Sequence, residues 1–547
     1  MTKRLFGLLG ILLVCACTKV GTQGPSGAGA GHTASNRAHH LIFADGSGDL
    51  NSLNPHLYTE TKLGYIAEMT MAYLARYDIH NRPVPELATV IPTQQNGLIS
   101  RDGKTITWHL RRGVKWSDGV PFDADDVVWS TGAVNNKANN EVGRDGWDLI
   151  TKVDEPDKYT VVYHLSKPYA AFLPTFFGTA GANPCILPKH ILSSLPNINT
   201  APYNARPVGI GPFRVVAWRR GDAVELEANP YYWRGMPKLK RITFKLIPDR
   251  DTLTTEMQTG DVDLWPLVTP AYIVRMKEIP SLKVPVFTQY YYAHVDFNLK
   301  SPILRDIRVR QALRLALDRK TIRQKIGRGY GVLQDGVISP ANPVANTSIP
   351  FVDFNPAKAK ELLDQAGWKA GRDGIRVKNG RRLTLHFAYY TGAPDTDQEV
   401  ELMRANWKDA GVDLQTQKYA VNLFFAPFQQ GGIMYSGKWD VTTFSWGGDP
   451  VGDLSTIYSC SQQPPNGQNA MHYCNPAADA AMDKFKATYS ESEHKKYDAI
   501  VEEALARDAP TVVLWVAQWG FAYNSNLQDF RPNEVSPFDD MINVDIQ

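Results

Sequence analysis

The sequence predicts a multidomain α/β protein, and three observations support this prediction. The chain has 547 residues, and its body of about 500 residues after an N-terminal leader exceeds what one hydrophobic core normally organises, so two to four domains are expected. Strand and helix patterns alternate without a fixed repeat, which argues against solenoids and propellers. A β-α-β pattern over residues 383–417 predicts at least one pair of parallel strands.

The first residues have the pattern of a secretory leader. Lys3 and Arg4 precede an apolar stretch over residues 5–14 that is too short to anchor the chain across a bilayer. Cys17, preceded by Ala16, resembles the lipidation site of bacterial lipoproteins. We therefore predict a leader over 1–17 with lipid on Cys17, followed by a flexible tether rich in Gly, Ser and Ala over 18–40. The alternative is an ordinary leader with incidental cysteines.

Residues 105–130 combine a strand, a turn and the start of a helix. Ile106, Trp108 and Leu110 alternate with polar side chains, as in a half-buried strand. Gly113 and Gly119 supply turn positions. Asp123 precedes further carboxylates and predicts an N-cap, which we favour over a catalytic role.

Other elements follow from the same periodicities. Alternating apolar residues predict strands over 161–165, 224–228, 242–246 and 383–389. Apolar stripes at helical spacing predict helices over 309–317, preceded by Asp306, over 355–367, with Asn355 as N-cap and Gly367 at the end, and over 397–410, ending at Gly411.

Composition limits the classes of partner. The formal charge of +3 is too small and too evenly spread to suggest nucleic acid. The 13 Trp and 24 Tyr predict aromatic cores and interfaces, and several of these rings are candidates to line a ligand cavity. Cys460 and Cys474 flank a loop of turn-forming residues and are free to form a disulfide in an oxidising compartment. Cys185 has no obvious partner and is predicted to be a buried small hydrophobe.

Motifs of enzymes are missing from the sequence. It contains no G-x-S-x-G, H-E-x-x-H or G-x-x-x-x-G-K-[ST] motif and no paired C-x-x-C. We therefore predict a binding protein without catalytic residues, metal ligands or a cofactor, and not an enzyme.

Six segments together resemble family 5 of the bacterial extracellular solute-binding proteins, the oligopeptide- and dipeptide-binding class. They span most of the mature chain in the order of that family: 105–130, 207–215, 229–239, 256–263, 297–313 and 355–367. The resemblance implies a two-lobed fold like that of periplasmic binding proteins of type II (cluster C), with an extra domain and a ligand cleft between hinged lobes. Its implied division is lobe I over 41–57, 205–290 and 505–547, the extra domain over 58–204, and lobe II over 291–504.

The resemblance also implies a function. We expect an extracytoplasmic substrate-binding protein of an ATP-binding-cassette importer, which captures peptides by hinge closure and delivers them to permease subunits. It would be a monomer in the periplasm or on the outer face of the cell membrane, held there by the lipid on Cys17. The alternatives are the same role for an oligosaccharide, a nickel complex or haem, and, with less support, an extracellular hydrolase.

The main candidate for ligand binding is residues 446–453. Trp446 and Asp449 occupy the positions of a Trp-x-x-Asp segment whose carboxylate pairs with the α-ammonium group of the peptide in peptide-binding members. Enclosure would strengthen such a charge-assisted hydrogen bond. Gly448 leaves room for the ligand backbone. The alternative is that Asp449 only caps a turn before Pro450.

Two further segments complete the candidate site. Thr59, Glu60 and Thr61 occupy the family's first pocket segment, where Glu60 would favour a cationic group unless it is simply exposed to solvent. Tyr390 is the second residue of the loop 389–397, in which dipeptide-preferring members can place an Arg for the ligand carboxylate. Here that loop contains no Arg or Lys, which favours longer peptides or other solutes over dipeptides.

Overall fold

The architecture is mixed α/β and is dominated by one large sheet. The computed structural model describes residues 37–46, 49–58, 60–71, 73–144, 146–178, 184–391, 394–448 and 451–547. In chain order the strands are β1 (His40–Asp45), β2 (Ala75–Tyr77), β3 (Pro83–Pro85), β4 (Thr105–His109), β5 (Ile150–Asp157), β6 (Thr160–Leu165), β7 (Phe213–Arg219), β8 (Ala223–Ala228), β9 (Arg241–Leu246), β10 (Leu264–Val268), β11 (Leu282–Lys283), β12 (Val286–Phe297), β13 (Lys369–Ala370), β14 (Arg376–Lys378), β15 (Arg381–Arg382), β16 (Thr384–Tyr390), β17 (Asp413–Tyr419), β18 (Val441–Gly447), β19 (Thr511–Asn524), β20 (Leu527–Gln528) and β21 (Asp545–Ile546).

The helices are distributed between these strands along the whole chain. They are α1 (Thr61–Thr70), α2 (Ala124–Asn135), α3 (Phe172–Thr175), α4 (Lys189–Leu192), α5 (Arg250–Thr259), α6 (Pro270–Lys277), α7 (Ile307–Leu315), α8 (Arg319–Ile326), α9 (Pro356–Gln365), α10 (Pro394–Asp409), α11 (Val421–Phe424), α12 (Ser455–Tyr458), α13 (Pro476–Lys486) and α14 (Glu491–Asp508). Short 3₁₀ turns occur at Trp147–Leu149, Pro202–Asn204, Phe428–Gln430 and Cys460–Gln462.

The large sheet has 11 strands in the order β17-β16-β18-β12-β19-β10-β1-β9-β8-β7, with β11 also paired to β19. On one side of β12 and β19, strand β16 runs parallel to β17 and β18. On the other side, β1 runs parallel to β9 and β10. The long antiparallel pair β12 and β19 connects these two parallel groups into one sheet.

The carboxyl ends of both parallel groups converge on the middle of β12 and β19. Gly447, the last residue of β18, lies opposite Tyr291 of β12. Val268, the last residue of β10, lies opposite Gly520 of β19. Ligands of open α/β sheets bind beyond the carboxyl ends of the strands, so this convergence marks the place to look for a site.

The hydrophobic side chains form several separate clusters. One cluster joins residues from 41–69, 213–264 and 521–546, and a second lies wholly within 74–210. Two more are built mainly from residues 292–516. Strand β19 contributes Leu514 to one of these and Phe521 to the first cluster, so the same strand enters two different cores.

The predicted strand, turn and helix cap over 105–130 are confirmed. Ile106, Trp108 and Leu110 are buried. Gly113 and Gly119 have φ of 75° and 90°, where a side chain would be strained. Asp123 is the N-cap of α2, with its Oδ1 accepting from the Asp125 N–H at 3.1 Å.

The predicted helices and the β-α-β unit are also confirmed, with small shifts of their ends. The side chains of Asp306 and Asn355 cap α7 and α9. Strands β16 and β17 are parallel neighbours joined by α10. Gly367 and Gly411 follow α9 and α10 with φ of 87° and 88°, as expected for helix C-termini.

The predicted end of the tether at residue 40 is wrong. His40 is the first residue of β1 and pairs with Arg241 of β9. His39 Nδ1 lies 2.8 Å from Asp545 Oδ1. Local composition does not reveal these pairings because both partners are at least 200 residues away in sequence. Cys17 and residues 18–36 lie outside the described residues.

Candidate functional site

The site is built at the edge where the two groups of parallel strands converge. Tyr390 and Gly447 end the neighbouring strands β16 and β18. Tyr291, opposite Gly447, packs its ring 5.2 Å from the ring of Trp519 on β19. Side chains of β12 and β19 therefore lie between the two groups of parallel strands.

A cavity of about 660 Å³ opens at the carboxyl ends of β1 and β10. Its lining includes Glu60 and Thr61 from the predicted site together with Asp45, Arg250 and Trp519. Trp519, which lines this cavity, also packs against Tyr291, the residue opposite the end of β18. Thr59, the third predicted residue of that segment, lies outside the described residues.

Glu60 is half-buried and is the N-cap residue of α1. Its Oε1 accepts a hydrogen bond of 2.6 Å from Asn51 Nδ2, and its Oε2 lies 3.2 Å from Lys62 Nζ. Glu60 is therefore neither simply solvent-exposed nor an isolated charge, because Lys62 shares the wall of the cavity with it.

Trp446 and Gly448 lie at the end of β18. Trp446 pairs with Tyr292 on β12 and packs its ring 5.8 Å from Phe444. The Gly448 N–H donates to Tyr290 O at 3.0 Å, and a Cβ at Gly448 would lie 3.1 Å from that oxygen. Any larger residue would therefore crowd β12. Asp449, the predicted partner of a peptide ammonium, lies outside the described residues.

Tyr390 belongs to the same aromatic group as Trp446. Its ring lies 5.6 Å from Phe424 and 5.1 Å from Phe425, and both Tyr390 and Trp446 pack against the cluster that contains Phe444. Burial, assisted by the Glu399 carboxyl group, raises the pKa of Tyr390. The structure thus brings together two of the predicted residues that are 56 positions apart.

Glu399 on α10 is a buried acid near this group. Its Oε1 lies 3.0 Å from Thr443 Oγ1. Burial raises the pKa of Glu399 to about 7, and the hydrogen bond to Thr443 only partly offsets this effect. The same hydroxyl of Thr443 lies 2.9 Å from His294 O. It has one proton to donate, so a protonated Glu399 satisfies both contacts at once.

Sequence patterns missed several residues of this edge, including Tyr291, Phe425, Arg250 and Trp519. Tyr291 and Trp519 belong to the crossing strands β12 and β19, and nothing local distinguishes them from core residues. For Phe425 the sequence did contain an indication of a binding surface: this residue lies in the run 419–437, which contains no charged side chain.

The described cysteines and the buried His56 have structural and not ligand-binding environments. Cys460 and Cys474 are joined by a disulfide, and Cys185 is free and buried, as predicted for a small hydrophobe. His56 is fully buried between Glu141 Oε2 at 2.6 Å and Cys185 O at 2.7 Å.

Within the described ranges, no group of three or more His, Cys, Asp or Glu side chains is arranged to hold a metal ion. None of the described helices has the length and hydropathy needed to cross a bilayer.

Comparison with known proteins assigns the chain to a family. The sequence profile of the bacterial extracellular solute-binding proteins, family 5 (middle region), matches residues 82–468. The chain belongs to this family. It is 27% identical over 446 residues to the oligopeptide-binding protein AppA of Bacillus subtilis, a match that covers 80% of this chain and 79% of the relative.

Solved structures share its fold. The structure of the Bacillus subtilis oligopeptide-binding protein in complex with a nonapeptide has a TM-score of 0.75 at 24% identity, covering 94% of this chain and 100% of that one. The structure of NikZ from Campylobacter jejuni in complex with Ni(L-His) has a TM-score of 0.74 at 27% identity, covering 91% and 96%. The family 5 solute-binding fold predicted from the sequence is therefore confirmed.

Proposed function

We propose that this family 5 protein is the substrate-binding component of an ATP-binding-cassette importer and that its cargo is a peptide. The observation that carries the proposal is the convergence of the carboxyl ends of both parallel strand groups on one cavity-bearing edge. A relative that spans most of the chain is named as an oligopeptide-binding protein, which supports peptide as the cargo. In this proposal the protein binds its cargo and does not catalyse a reaction on it.

The hydrophobic clusters support a two-lobed organisation with small changes to the expected boundaries. Leu63, Ile66 and Met69 of α1 pack with the cluster of residues 41–69, 213–264 and 521–546, so we assign α1 to lobe I and not to the extra domain. Val512 and Leu514 pack with the residues of lobe II. We therefore place the last crossing between the lobes within β19.

Hinge closure is the proposed mechanism. Strands β12 and β19 connect the lobes, and the register of this pair shifts between Thr288 and Tyr292. A peptide that contacts both lobes gains more binding energy in the closed than in the open state, and it therefore shifts the population toward the form that permease subunits recognise.

The proposed partner of the peptide ammonium gives a direct test. In calorimetry with pentaalanine, Asp449→Asn should weaken binding by roughly 2 kcal/mol or more, because the charge that pairs with the ammonium group is lost. Asp483→Asn removes an exposed carboxylate of α13 and serves as the control, with unchanged affinity. Equal affinities of the Asp449 variant and the wild type would remove Asp449 from the site.

A nickel complex is the second candidate, because a structural relative of similar identity is described in complex with Ni(L-His). Native mass spectrometry of protein purified without refolding separates the two. A retained peptide mass supports the main proposal, whereas a retained nickel chelate, a glycan or haem replaces it.

We also propose that the protein acts outside the cytoplasm as a monomer, held at a membrane by a lipid on Cys17. The sequence of residues 1–17 supports this placement. Intact-mass analysis of the membrane fraction tests it: a Cys17→Ser variant should lose both the acyl mass and the membrane association.

A further inference from the structure

A second cavity, of about 280 Å³, shares no lining residue with the cavity beside Glu60. We name it the interface cavity, because two distant parts of the chain enclose it. Its apolar lining includes Ile91, Ile99, Phe172 and Leu173 from one part and Val344 and Tyr489 from the other. Ile99 and Phe172 belong to the hydrophobic cluster of residues 74–210, whereas Val344 belongs to a cluster of residues 292–516. The interface cavity therefore lies at the boundary between two cores.

Hydrogen bonds across this boundary hold the two walls of the interface cavity together. The Tyr489 hydroxyl donates to Gly103 O at 2.7 Å and accepts from the Tyr169 N–H at 3.0 Å. The Ala170 N–H donates to Lys486 O at 3.1 Å. Because each part of the chain supplies one wall, the interface cavity exists only while the two parts are in contact.

The charged side chains that line the interface cavity already have partners. Arg82 Nη2 donates to Asp78 Oδ2 at 2.9 Å, and Glu491 Oε1 lies 3.5 Å from Lys495 Nζ. Burial lowers the pKa of His494, which also lines the cavity, so its ring is neutral at pH 7. Since no charge of the described lining residues is left unpaired, a charged ligand would lose its hydration without gaining a partner, and an uncharged ligand is favoured.

Asn81 supplies a buried hydrogen-bond acceptor at the interface cavity. It lies in the turn between β2 and β3 with φ of 57°, and it belongs to the lining of the cavity. Its Oδ1 is buried and has no hydrogen-bond partner among the described residues. A buried acceptor without a partner is costly, so a ligand that donates an N–H or O–H to this oxygen gains binding energy.

We propose that the interface cavity is a second binding site, for an uncharged aromatic molecule of about the size of indole that donates one hydrogen bond to Asn81 Oδ1. Its apolar walls, which include the rings of Phe172 and Tyr489, favour an aromatic ring system. Because both walls must be in contact, such a ligand also favours the closed arrangement of the chain and tightens cargo binding. This coupling rests on the proposed function, whereas the site itself does not.

Calorimetry with indole and with benzofuran tests the hydrogen bond to Asn81. Benzofuran has nearly the same shape as indole but no N–H, so it should bind the wild type at least about threefold more weakly. Asn81→Gly removes the acceptor, and glycine adopts the positive φ of this position without strain. This variant should bind indole and benzofuran with equal affinity.

Leu173→Trp tests the location of the site. It should weaken indole binding about tenfold or more, because the larger side chain occupies the interface cavity. Leu195→Trp is the matched control, since Leu195 is 38% exposed and does not line the cavity, and it should bind indole as the wild type does. Thermal unfolding without ligand checks that each variant is folded. Absence of saturable indole binding to the wild type, equal wild-type affinities for indole and benzofuran, or unchanged binding to Leu173→Trp overturns the site.

Titration of pentaalanine at saturating indole tests the coupling. Indole should tighten pentaalanine binding to the wild type about threefold or more, and Leu173→Trp should abolish this effect. Unchanged pentaalanine affinity overturns the coupling, and weakened affinity shows that indole competes for the cargo site instead. Failure of pentaalanine to bind with or without indole overturns the proposed function but not the site, because indole binding is measured on its own.

Discussion

Glu399 shows how a single residue acquires a property that its sequence neighbours do not specify. It lies on α10, where its carboxyl group is buried against Thr443. Burial raises the pKa of Glu399 to about 7 from an ordinary value of 4.5. The folded state therefore holds this proton more tightly than the unfolded state does, and the stability of the fold falls as pH rises from about 4.5 to about 7.

The variant Glu399→Gln should remove the loss of stability that the ionisation of Glu399 causes at high pH. At pH 8 it should be more stable than the wild type by at most about 3 kcal/mol, since each pKa unit corresponds to about 1.4 kcal/mol. At pH 5, where the wild-type carboxyl is neutral in the fold, the difference should be small. Urea unfolding at both pH values measures it, with the exposed Glu503→Gln as control. A difference that is the same at pH 5 and pH 8 would contradict the prediction.

Some residues of the candidate site could be predicted from the sequence, and others could not. Trp446 and Tyr390 were predicted from the resemblance of their segments to a family, and the structure packs both against one aromatic cluster. Tyr291 and Trp519 were not predicted, because each lies within an apolar strand pattern that equally fits a core position. Their contact of 5.2 Å depends on the pairing of β12 with β19.

At the scale of elements, α2 shows how local chemistry fixes the start of a helix. Asp123 Oδ1 accepts from the Asp125 N–H at 3.1 Å, and the Asp126 side chain reaches back to the Asp123 N–H. Asp126 also accepts from Trp116 Nε1 and from the Lys189 N–H, both at 3.1 Å. The cap thus connects α2 to the preceding turn and to α4.

Removing the cap should destabilise α2 measurably. Asp123→Ala should lower the free energy of unfolding by about 1 kcal/mol, because an N-terminal N–H group loses its acceptor. Asp123→Ser should retain most of the stability, since serine is an equally good N-cap. Chemical denaturation compares the two, and equal losses in both variants would show that the capping hydrogen bond is unimportant.

At the scale of the whole molecule, residues far from the crossing strands also connect the two halves of the chain. The Tyr489 hydroxyl donates to Gly103 O at 2.7 Å and accepts from the Tyr169 N–H at 3.0 Å. Its ring packs 5.8 Å from Phe172. A Cβ at Gly103 would lie 2.8 Å from the Tyr489 ring, so this close contact requires glycine there.

Loss of the Tyr489 contact should favour open conformations of the unliganded protein. Tyr489→Ala removes both hydrogen bonds and the ring packing, whereas Tyr489→Phe removes only the hydrogen bonds. We expect the radius of gyration from small-angle X-ray scattering to rise in the order wild type, Phe, Ala. Pentaalanine should bind the Ala variant about tenfold more weakly, because closure loses part of its stabilisation. The exposed Tyr231→Ala is the control, and identical scattering of all variants would contradict the prediction.

The sequence by itself determined the elements and the family. Periodicity, caps and glycine turns depend on neighbours a few residues apart, so β4, α2, α7, α9 and the unit from β16 to β17 could be predicted from local patterns. The order of the matching segments was enough to predict the solute-binding fold that the comparisons confirm.

Only the tertiary structure decided where those elements meet. The contact of His39 with Asp545, the pairing of His40 with Arg241 and the packing of Tyr291 against Trp519 all join residues that are at least 200 positions apart. The physical reason is register: the pairing of β12 with β18 and β19 sets Tyr291 beside Gly447 and Trp519, and a shift by one residue would turn its side chain to the opposite face of the sheet.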